Sequence, residues 1–149
     1  MGPLDALRGR RAYLDANVFI YAASAIGPYA AFLSELFRAI DAAQVEAFSS
    51  ELTVMEVLVA PLRRGNAQEE VRCRGMLQPR AWLHFLPVSL AILETGARLR
   101  ASTPGLHTPD AIHLATAMDA SCDVFLTNDR RIRTVVPPAV VLFDDLLRA

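Results

Sequence analysis

Lysine is missing from this sequence, since all fifteen of its basic residues are arginine. Its absence excludes mechanisms that need a lysine amine, among them phosphate binding by a Walker A motif and Schiff-base chemistry. It also argues against phosphoaspartate proteins, which place acids at the ends of parallel strands but usually need a lysine near the phosphate. The phosphatases of that class further require a second aspartate where Asn17 stands.

Cysteine and net charge are scarce as well. Cys73 and Cys122 lie far apart and form no metal-spaced pair, so neither a disulfide scaffold nor a zinc finger is expected. We expect both to be small apolar side chains in a reducing cytosol. Fifteen basic and sixteen acidic residues give a formal charge of −1, which excludes a strongly cationic nucleic-acid binder but leaves room for local basic patches.

Long apolar runs are also absent. The uninterrupted run Val18–Ala23 is shorter than the apolar region of a signal peptide. Gly27 and Pro28 then interrupt the segment before it could cross a bilayer. The sequence therefore predicts a soluble, cytoplasmic protein without a membrane partner.

What the sequence does contain is enough apolar content for one packed domain. Its 149 residues are 53% hydrophobic, so we expect a single domain with a real core. Short β-type runs alternate with helical ones, which favours an α/β fold with a parallel sheet covered on both faces. The predicted strands are Ala12–Asp15, Glu46–Ser49, Leu83–Pro87, Asp123–Thr127 and Val140–Phe143. The predicted helices are Asn17–Ala23, Pro28–Ala43, Ser50–Leu62 closed by Gly65, Asn66–Leu77, Ser89–Arg100 and Thr108–Ser121, the last capped by Thr108, followed by a short terminal helix.

Carboxylates stand at two of the predicted strand ends and in two apolar helical segments. Asp15 ends the first strand and Asp129 follows the fourth, while Glu56 and Asp110 lie in predicted helices. Each aspartate also has a local explanation: Asp15 as a helix cap, Asp129 in a turn, and Asp110 as a charge that complements its helix dipole. Glu56 has no cation one turn away and must find a partner from elsewhere, structural or functional.

Taken together, these acids predict more than they do singly. The carboxyl ends of parallel strands meet at one edge of the sheet, and functional residues gather there. Carboxylates within ~4 Å of one another repel by several kcal/mol per pair, so they either hold protons or share a cation. Oxygen ligands favour Mg²⁺ or Mn²⁺ over zinc. Such an ion suits metal-dependent hydrolysis of phosphodiesters.

Four segments resemble those of PIN domains, in the same order and at similar separations. They are L-D-A-N-V-F-I-Y, T-V-M-E-V-L, T-P-D-A-I-H-L-A-T-A and V-F-L-T-N-D. The resemblance runs from about Ala12 to Phe143, and the small size is similar to that of VapC-like toxins from toxin–antitoxin pairs. It implies a three-layer fold with a five-stranded parallel sheet flanked by helices, and Mg²⁺- or Mn²⁺-dependent endoribonuclease activity. A VapB-like antitoxin and a homodimer are the protein partners it implies.

The resemblance also assigns the site residues. The four acids of the family correspond to Asp15, Glu56, Asp110 and Asp129, and its smaller polar positions to Asn17 and Thr127. We expect Asp15, Asp110 and Asp129 to hold the metal and Glu56 to orient the attacking water. Asn17 and Thr127 are expected to position substrate phosphate or metal waters, although turn hydrogen bonding explains both equally well.

Other residues have plainer explanations. His113 lies one turn after Asp110, but we expect a core or locally hydrogen-bonded histidine. The arginine clusters at 63–64 and 130–133 are expected to be solvated, with RNA phosphate binding as the alternative. The apolar helical segments around Ile20 and Phe37 are expected to be core before they are a partner surface. A catalytically silent PIN-like module that binds RNA or protein is the alternative function.

Overall fold

A parallel sheet of five strands forms the centre of the molecule, with the strand order β3-β2-β1-β4-β5. The computed structural model describes residues 2–25, 27–134 and 136–149. The predicted α/β class and all five predicted strands are confirmed, with ends that differ by one residue. The strands are β1 (Arg11–Leu14), β2 (Glu46–Ser50), β3 (Leu83–Leu86), β4 (Val124–Thr127) and β5 (Ala139–Leu142).

Helices connect and cover these strands. A 3-10 turn at Pro3–Ala6 precedes α1 (Ala16–Ser24), α2 (Tyr29–Asp41), α3 (Leu52–Arg64), α4 (Ala67–Met76), α5 (Leu90–Ser102), α6 (Thr108–Asp119) and α7 (Phe143–Arg148). Two predicted caps are confirmed, because the Asn66 side chain accepts from the Glu69 amide and Ser89 accepts from the Ile92 amide. Gly65 ends α3 with a φ of 64°, a left-handed conformation that glycine adopts without steric cost.

Two predicted helix starts are wrong. Thr108 is the first residue of α6 and does not cap it, because His107 holds the cap position. The Thr108 hydroxyl instead accepts a hydrogen bond from Nη1 of Arg100 at 2.8 Å. Helix α3 begins at Leu52 and not at Ser50, because Ser50 is still the last residue of β2. The Ser50 hydroxyl accepts from the Leu52 amide at 3.1 Å, so it still binds the first amide of α3 from two positions before the helix.

The sheet separates two apolar layers, as the alternation of side chains along a strand requires. Ala12 and Leu14 of β1 belong to the larger core cluster, with residues of α1, α2, α3 and α4. Tyr13, between them, belongs to the cluster formed with α6 and partly buried Leu99 of α5. This is the predicted three-layer arrangement. Phe32 and Phe37 of α2 are buried in the first cluster, so the expectation of core burial is confirmed for these two residues.

Register places the carboxyl ends of β1 and β4 side by side. Leu14 of β1 pairs with Leu126 of β4, so Asp15 and Thr127 follow at the same edge. The Asp15 amide continues the ladder by donating to the Leu126 carbonyl at 3.0 Å. Helix α6 packs against α5 and β2.

Among the described residues, no individual helix has both the length and the apolar content needed to cross a membrane. Helices α1 and α2 pass the same test of length and composition only as a pair, with an angle of 113° between them.

Candidate active site

Asp15 is a buried carboxylate that caps α1 and faces the next strand. Its side chain is held by three donors: Oδ1 accepts from the Ala16 amide at 2.8 Å, and Oδ2 accepts from Oγ1 of Thr127 at 2.7 Å and from Nδ2 of Asn17 at 3.3 Å. The residue is 6% exposed. Burial raises the pKa of Asp15 above its usual range, against the opposing effects of His113, Thr127 and the Ala16 amide. The capping role is therefore real, and it also fixes a desolvated charge at the sheet edge.

Thr127 joins the two strand ends through one hydroxyl group. Besides donating to Asp15, its Oγ1 accepts from Nδ2 of Asn17 at 3.1 Å and from the Asp129 amide at 3.0 Å. A hydroxyl has one proton and two lone pairs, so these contacts use its full capacity. Asn17 in turn accepts from the Asn128 amide at 3.3 Å. Both predicted small polar residues therefore lie beside Asp15 and order the loop that carries Asp129.

Asp110 lies in the first turn of α6 and is half-buried. Burial raises the pKa of Asp110, and the negative charges of Asp15 and Asp129 raise it further. Asp15 and Asp129 are close enough to Asp110 to repel it, although the three residues come from different elements. Repulsion from these two acids therefore acts on Asp110 at this edge of the sheet.

Asp129 is in a different state, because a cation already compensates it. Its Oδ1 accepts from both the amide and Nε of Arg131, at 2.9 and 3.0 Å, and its Oδ2 accepts from Nη2 at 2.7 Å. This ion pair with Arg131 lowers the pKa of Asp129. The turn that a local explanation predicts is present, and the guanidinium adds a bidentate contact to it.

Glu56 finds its missing partner in His113, a residue the sequence argument placed in the core. The Nε2 atom of His113 lies 2.5 Å from Oε1 of Glu56 and 3.8 Å from Oδ1 of Asp15. On the other side of the ring, Nδ1 lies 2.6 Å from the hydroxyl of Tyr13. His113 is 1% exposed, as expected of a core histidine, but its partners are site residues. Its position one turn after Asp110 was the only sequence signal for this, and Tyr13 gave none.

An open cavity of about 370 Å³ lies beside this cluster. The loop at 103–107, Asp110 and two arginines, Arg131 and Arg133, line it. One carboxylate of the cluster therefore faces solvent next to cationic side chains. Such a combination suits an anionic substrate with a bridging cation.

The donor set can be tested against the divalent ion that the sequence predicts. Within the described ranges, no three histidine, cysteine, aspartate or glutamate side chains are arranged so as to hold a metal ion. Asp129 is engaged by Arg131, and the oxygens of Asp15 accept three hydrogen bonds. The donor chemistry nevertheless fits a hard cation, because Asp15 and Asp110 are carboxylates whose pKa values are raised and whose charges repel.

The fold and this acidic edge define an α/β domain with carboxylates gathered at the topological switch between β1 and β4. The family model of the PIN domain matches residues 12–136, so this chain belongs to the PIN domain family. The sequence resemblance is thereby confirmed. No curated protein matches the sequence significantly.

Solved structures agree with this assignment. A toxin–antitoxin complex from Klebsiella pneumoniae is 28% identical, with a TM-score of 0.63, 87% of this chain covered and 95% of the other. VapBC2 from Rickettsia felis, bound to a DNA fragment from its promoter, is 13% identical, with a TM-score of 0.66 and coverage of 89% and 98%. VapC20 from Mycobacterium tuberculosis, a toxin that cleaves the sarcin–ricin loop, is 12% identical, with a TM-score of 0.62 and coverage of 76% and 86%. The last two show likeness of fold alone.

Proposed function

We propose that this protein is a Mg²⁺- or Mn²⁺-dependent endoribonuclease that hydrolyses RNA phosphodiester bonds in the cytoplasm. The observation that carries the proposal is the position of Asp110, which is repelled by Asp15 and Asp129 and lines a cavity together with two arginines. Keeping Asp110 ionised beside two other carboxylates costs free energy that a purely structural site would avoid.

The chain's own residues divide the work by position. Asp15 and Asp110 would hold the ion, which supplies an activated water and stabilises negative charge on the phosphate. Asp129 would complete the site on the side where Arg131 now lies. Thr127 and Asn17 orient Asp15, and Glu56 positions the attacking water. Arg131 and Arg133 line the cavity and would hold the RNA phosphates.

We further propose that the protein is the toxin of a type II toxin–antitoxin pair with a VapB-like antitoxin. Two of the structural neighbours are complexes of a toxin with its antitoxin. Helix α3 carries an apolar stripe on its outer face, formed by Met55, Val59 and Leu62 at 65%, 45% and 54% exposure. Residues at this spacing share one face of a helix, so they offer a partner a continuous apolar surface.

A homodimer is the second proposed assembly, and light scattering of the purified chain measures it.

Cleavage of RNA tests the nuclease proposal directly. Purified protein, free of any antitoxin, is incubated with labelled single-stranded RNA in Mg²⁺, Mn²⁺ or EDTA. Wild type is compared with Asp15→Asn and Asp110→Asn, and with Asp119→Asn as a matched control. Asp119 is an exposed acid at the other end of α6, so its substitution changes the charge equally without touching the site.

We expect metal-dependent cleavage by wild type and by Asp119→Asn. The two site variants should lose at least about 100-fold, as is typical when one group that stabilises transition-state charge is removed. Equal cleavage by all four proteins would overturn the site assignment, and cleavage in EDTA would overturn the metal. No cleavage of any RNA by wild type would favour the silent binding module.

A further inference from the structure

His113 is a buried histidine whose hydrogen-bond partners include a predicted site residue. The residue is 1% exposed, and both ring nitrogens have hydrogen-bond partners. The Tyr13 hydroxyl lies 2.6 Å from Nδ1, and Oε1 of Glu56 lies 2.5 Å from Nε2. Both partners come from other elements, β1 and α3, and Glu56 has no other side-chain hydrogen bond among the described residues. A buried imidazole needs a partner for each nitrogen, and here one of the two is the carboxylate that the sequence predicts to act in the site.

The donors and acceptors in this row of hydrogen bonds set its direction, from Tyr13 through His113 to Glu56. A carboxylate only accepts, so Nε2 of His113 carries the proton that points to Glu56. Tyr13 is fully buried beside an apolar wall, and burial raises the pKa of its hydroxyl, so it stays protonated and can donate to Nδ1. The order O–H of Tyr13 to Nδ1, then Nε2–H to Glu56, satisfies every atom when the imidazole is neutral, and protonation of Nδ1 leaves the Nε2–H contact with Glu56 in place.

The ring is also fixed in orientation. Its plane meets that of Tyr13 at 63° with centroids 5.8 Å apart, and Tyr13 stacks on Phe125 at 5.0 Å. The His113 ring therefore connects Glu56 to Tyr13 of β1, which stacks on Phe125 of β4. These are the two strands whose ends carry Asp15 and Thr127.

We propose that His113 is a positioning residue of the active site, which holds the Glu56 carboxylate in place beside Asp15 through its Nε2–H group. The inference rests on the proposed nuclease function for its kinetic consequence. The hydrogen bond itself is measurable without any activity. Asp15 lies 3.8 Å from the same nitrogen, so the one N–H group faces two carboxylates that otherwise repel each other.

Kinetics form the first test. In His113→Leu we expect kcat to fall by about 10- to 100-fold, the usual effect of losing the partner that orients a catalytic ligand, with KM changed by less than about twofold. His113→Gln, whose amide can still donate toward Glu56, should recover most of that loss. The control is Thr116→Val, because Thr116 is equally buried on α6 but bonds only to the carbonyl of Ile112. Its kcat should stay near that of wild type.

A double substitution separates positioning from folding. If His113 acts through Glu56, the variant with both His113→Leu and Glu56→Gln should be no slower than Glu56→Gln alone, within about twofold. The proposal would be overturned if the loss of kcat in the double variant equalled the product of the losses in the two single variants. So would an equal loss of kcat in His113→Leu and His113→Gln at matched thermal stability.

Proton NMR gives the readout that does not depend on RNA cleavage. With only three histidines in the chain, the buried Hε2 of His113 can be assigned. We expect a downfield, exchange-protected resonance in wild type and in Thr116→Val, shifted in Glu56→Gln and lost in Glu56→Ala. A resonance that is absent from wild type, or unchanged by both Glu56 substitutions, would overturn the inference. Loss of RNA cleavage by wild type with this signal intact would overturn the nuclease proposal alone.

Discussion

Thr127 donates its hydroxyl proton to Oδ2 of Asp15 across 2.7 Å and so links the ends of two neighbouring strands. The contact joins residues 112 positions apart in the chain. Since Thr127 is fully buried, its hydroxyl has no water to replace these partners.

Removing this hydroxyl should therefore cost both stability and activity. In Thr127→Val we expect the free energy of unfolding to fall by about 1–3 kcal/mol, because the buried Asp15 carboxylate and the Asp129 amide each lose a partner. Thr127→Ser keeps the hydroxyl and should retain most of both. Urea denaturation measures the change, with Thr116→Val as the buried comparison. An equal fall in the free energy of unfolding in the two valine variants would show that the Thr127 hydroxyl contributes no more to stability than another buried threonine hydroxyl.

Asp110→Asn should make the metal-free protein more stable while it abolishes cleavage. The pKa of Asp110 is raised by burial and by two neighbouring aspartates, so its charge is unfavourable in the folded state. Because the residue is partly exposed, solvent screens much of this effect, and we expect a rise in Tm of about 1–3 °C in EDTA. The reverse result, a lower Tm, would mean that Asp110 stabilises the fold through a contact stronger than this repulsion.

The stability of the metal-free protein should fall as pH rises from 6.0 to 8.5. Burial alone would lower the pKa of His113, but the Glu56 hydrogen bond and the charges of Asp15, Glu56 and Asp110 raise it above 6.5. The stabilisation from the protonated ring is thus complete below about 6.5 and is lost as pH rises through the folded-state pKa. Asp15 acts in the same direction at lower pH, since its raised pKa makes ionisation cost stability.

Thermal melts in EDTA measure this dependence. We expect a Tm lower by a few degrees at pH 8.5 than at pH 6.0 in wild type, and a smaller difference in His113→Gln. A drop of the same size in that variant would assign the titration to another group.

Cys122 should resist thiol reagents in the folded protein. Burial raises the pKa of this thiol to about 12 and leaves it 4% exposed. At pH 8 its thiolate fraction is then roughly a thousandfold below that of a free cysteine. Mass spectrometry after iodoacetamide treatment should find it unlabelled until denaturant is added. Rapid native labelling would instead indicate frequent opening of the turn between α6 and β4.

Gly96→Ala should be neutral or stabilising. Gly96 is buried in α5, and a Cβ there would lie 3.6 Å from the Ala111 carbonyl oxygen, an ordinary contact. Helix propensity then favours alanine by about 0.5–1 kcal/mol. Gly75→Ala in α4, where the added Cβ meets open space, is the matched comparison. A loss of stability in Gly96→Ala alone would show that α5 and α6 pack more tightly than this distance implies.

Gly96→Val tests whether that packing positions the site. Its larger side chain should push against Ala111, the neighbour of Asp110, and lower both stability and RNA cleavage. Cleavage unchanged at wild-type level would show that the placement of Asp110 does not depend on α5.

The sequence alone determined the strands, the helices and the edge of the sheet where the acids would lie. These follow from local patterns: β-type runs that end in Asp15 and Thr127, caps at Asn66 and Ser89, and the rule that parallel strands end together. The predicted helix start at Ser50 is wrong because β2 extends through that residue, and the predicted cap at Thr108 is wrong because its hydroxyl binds Arg100. Local pattern shows neither how far a strand extends nor which side chain a neighbouring helix brings to Thr108.

Only the tertiary structure decided which charges meet. His113 and Glu56 lie 57 positions apart, and their contact depends on how α3 and α6 reach the edge of the sheet from opposite layers. The same packing leaves Asp110 repelled by two aspartates while Asp129 is compensated by Arg131. Residue spacing limits which acids can share an edge. Distances of a few ångströms then set their protonation and partners, because electrostatic and hydrogen-bond energies change steeply over that range.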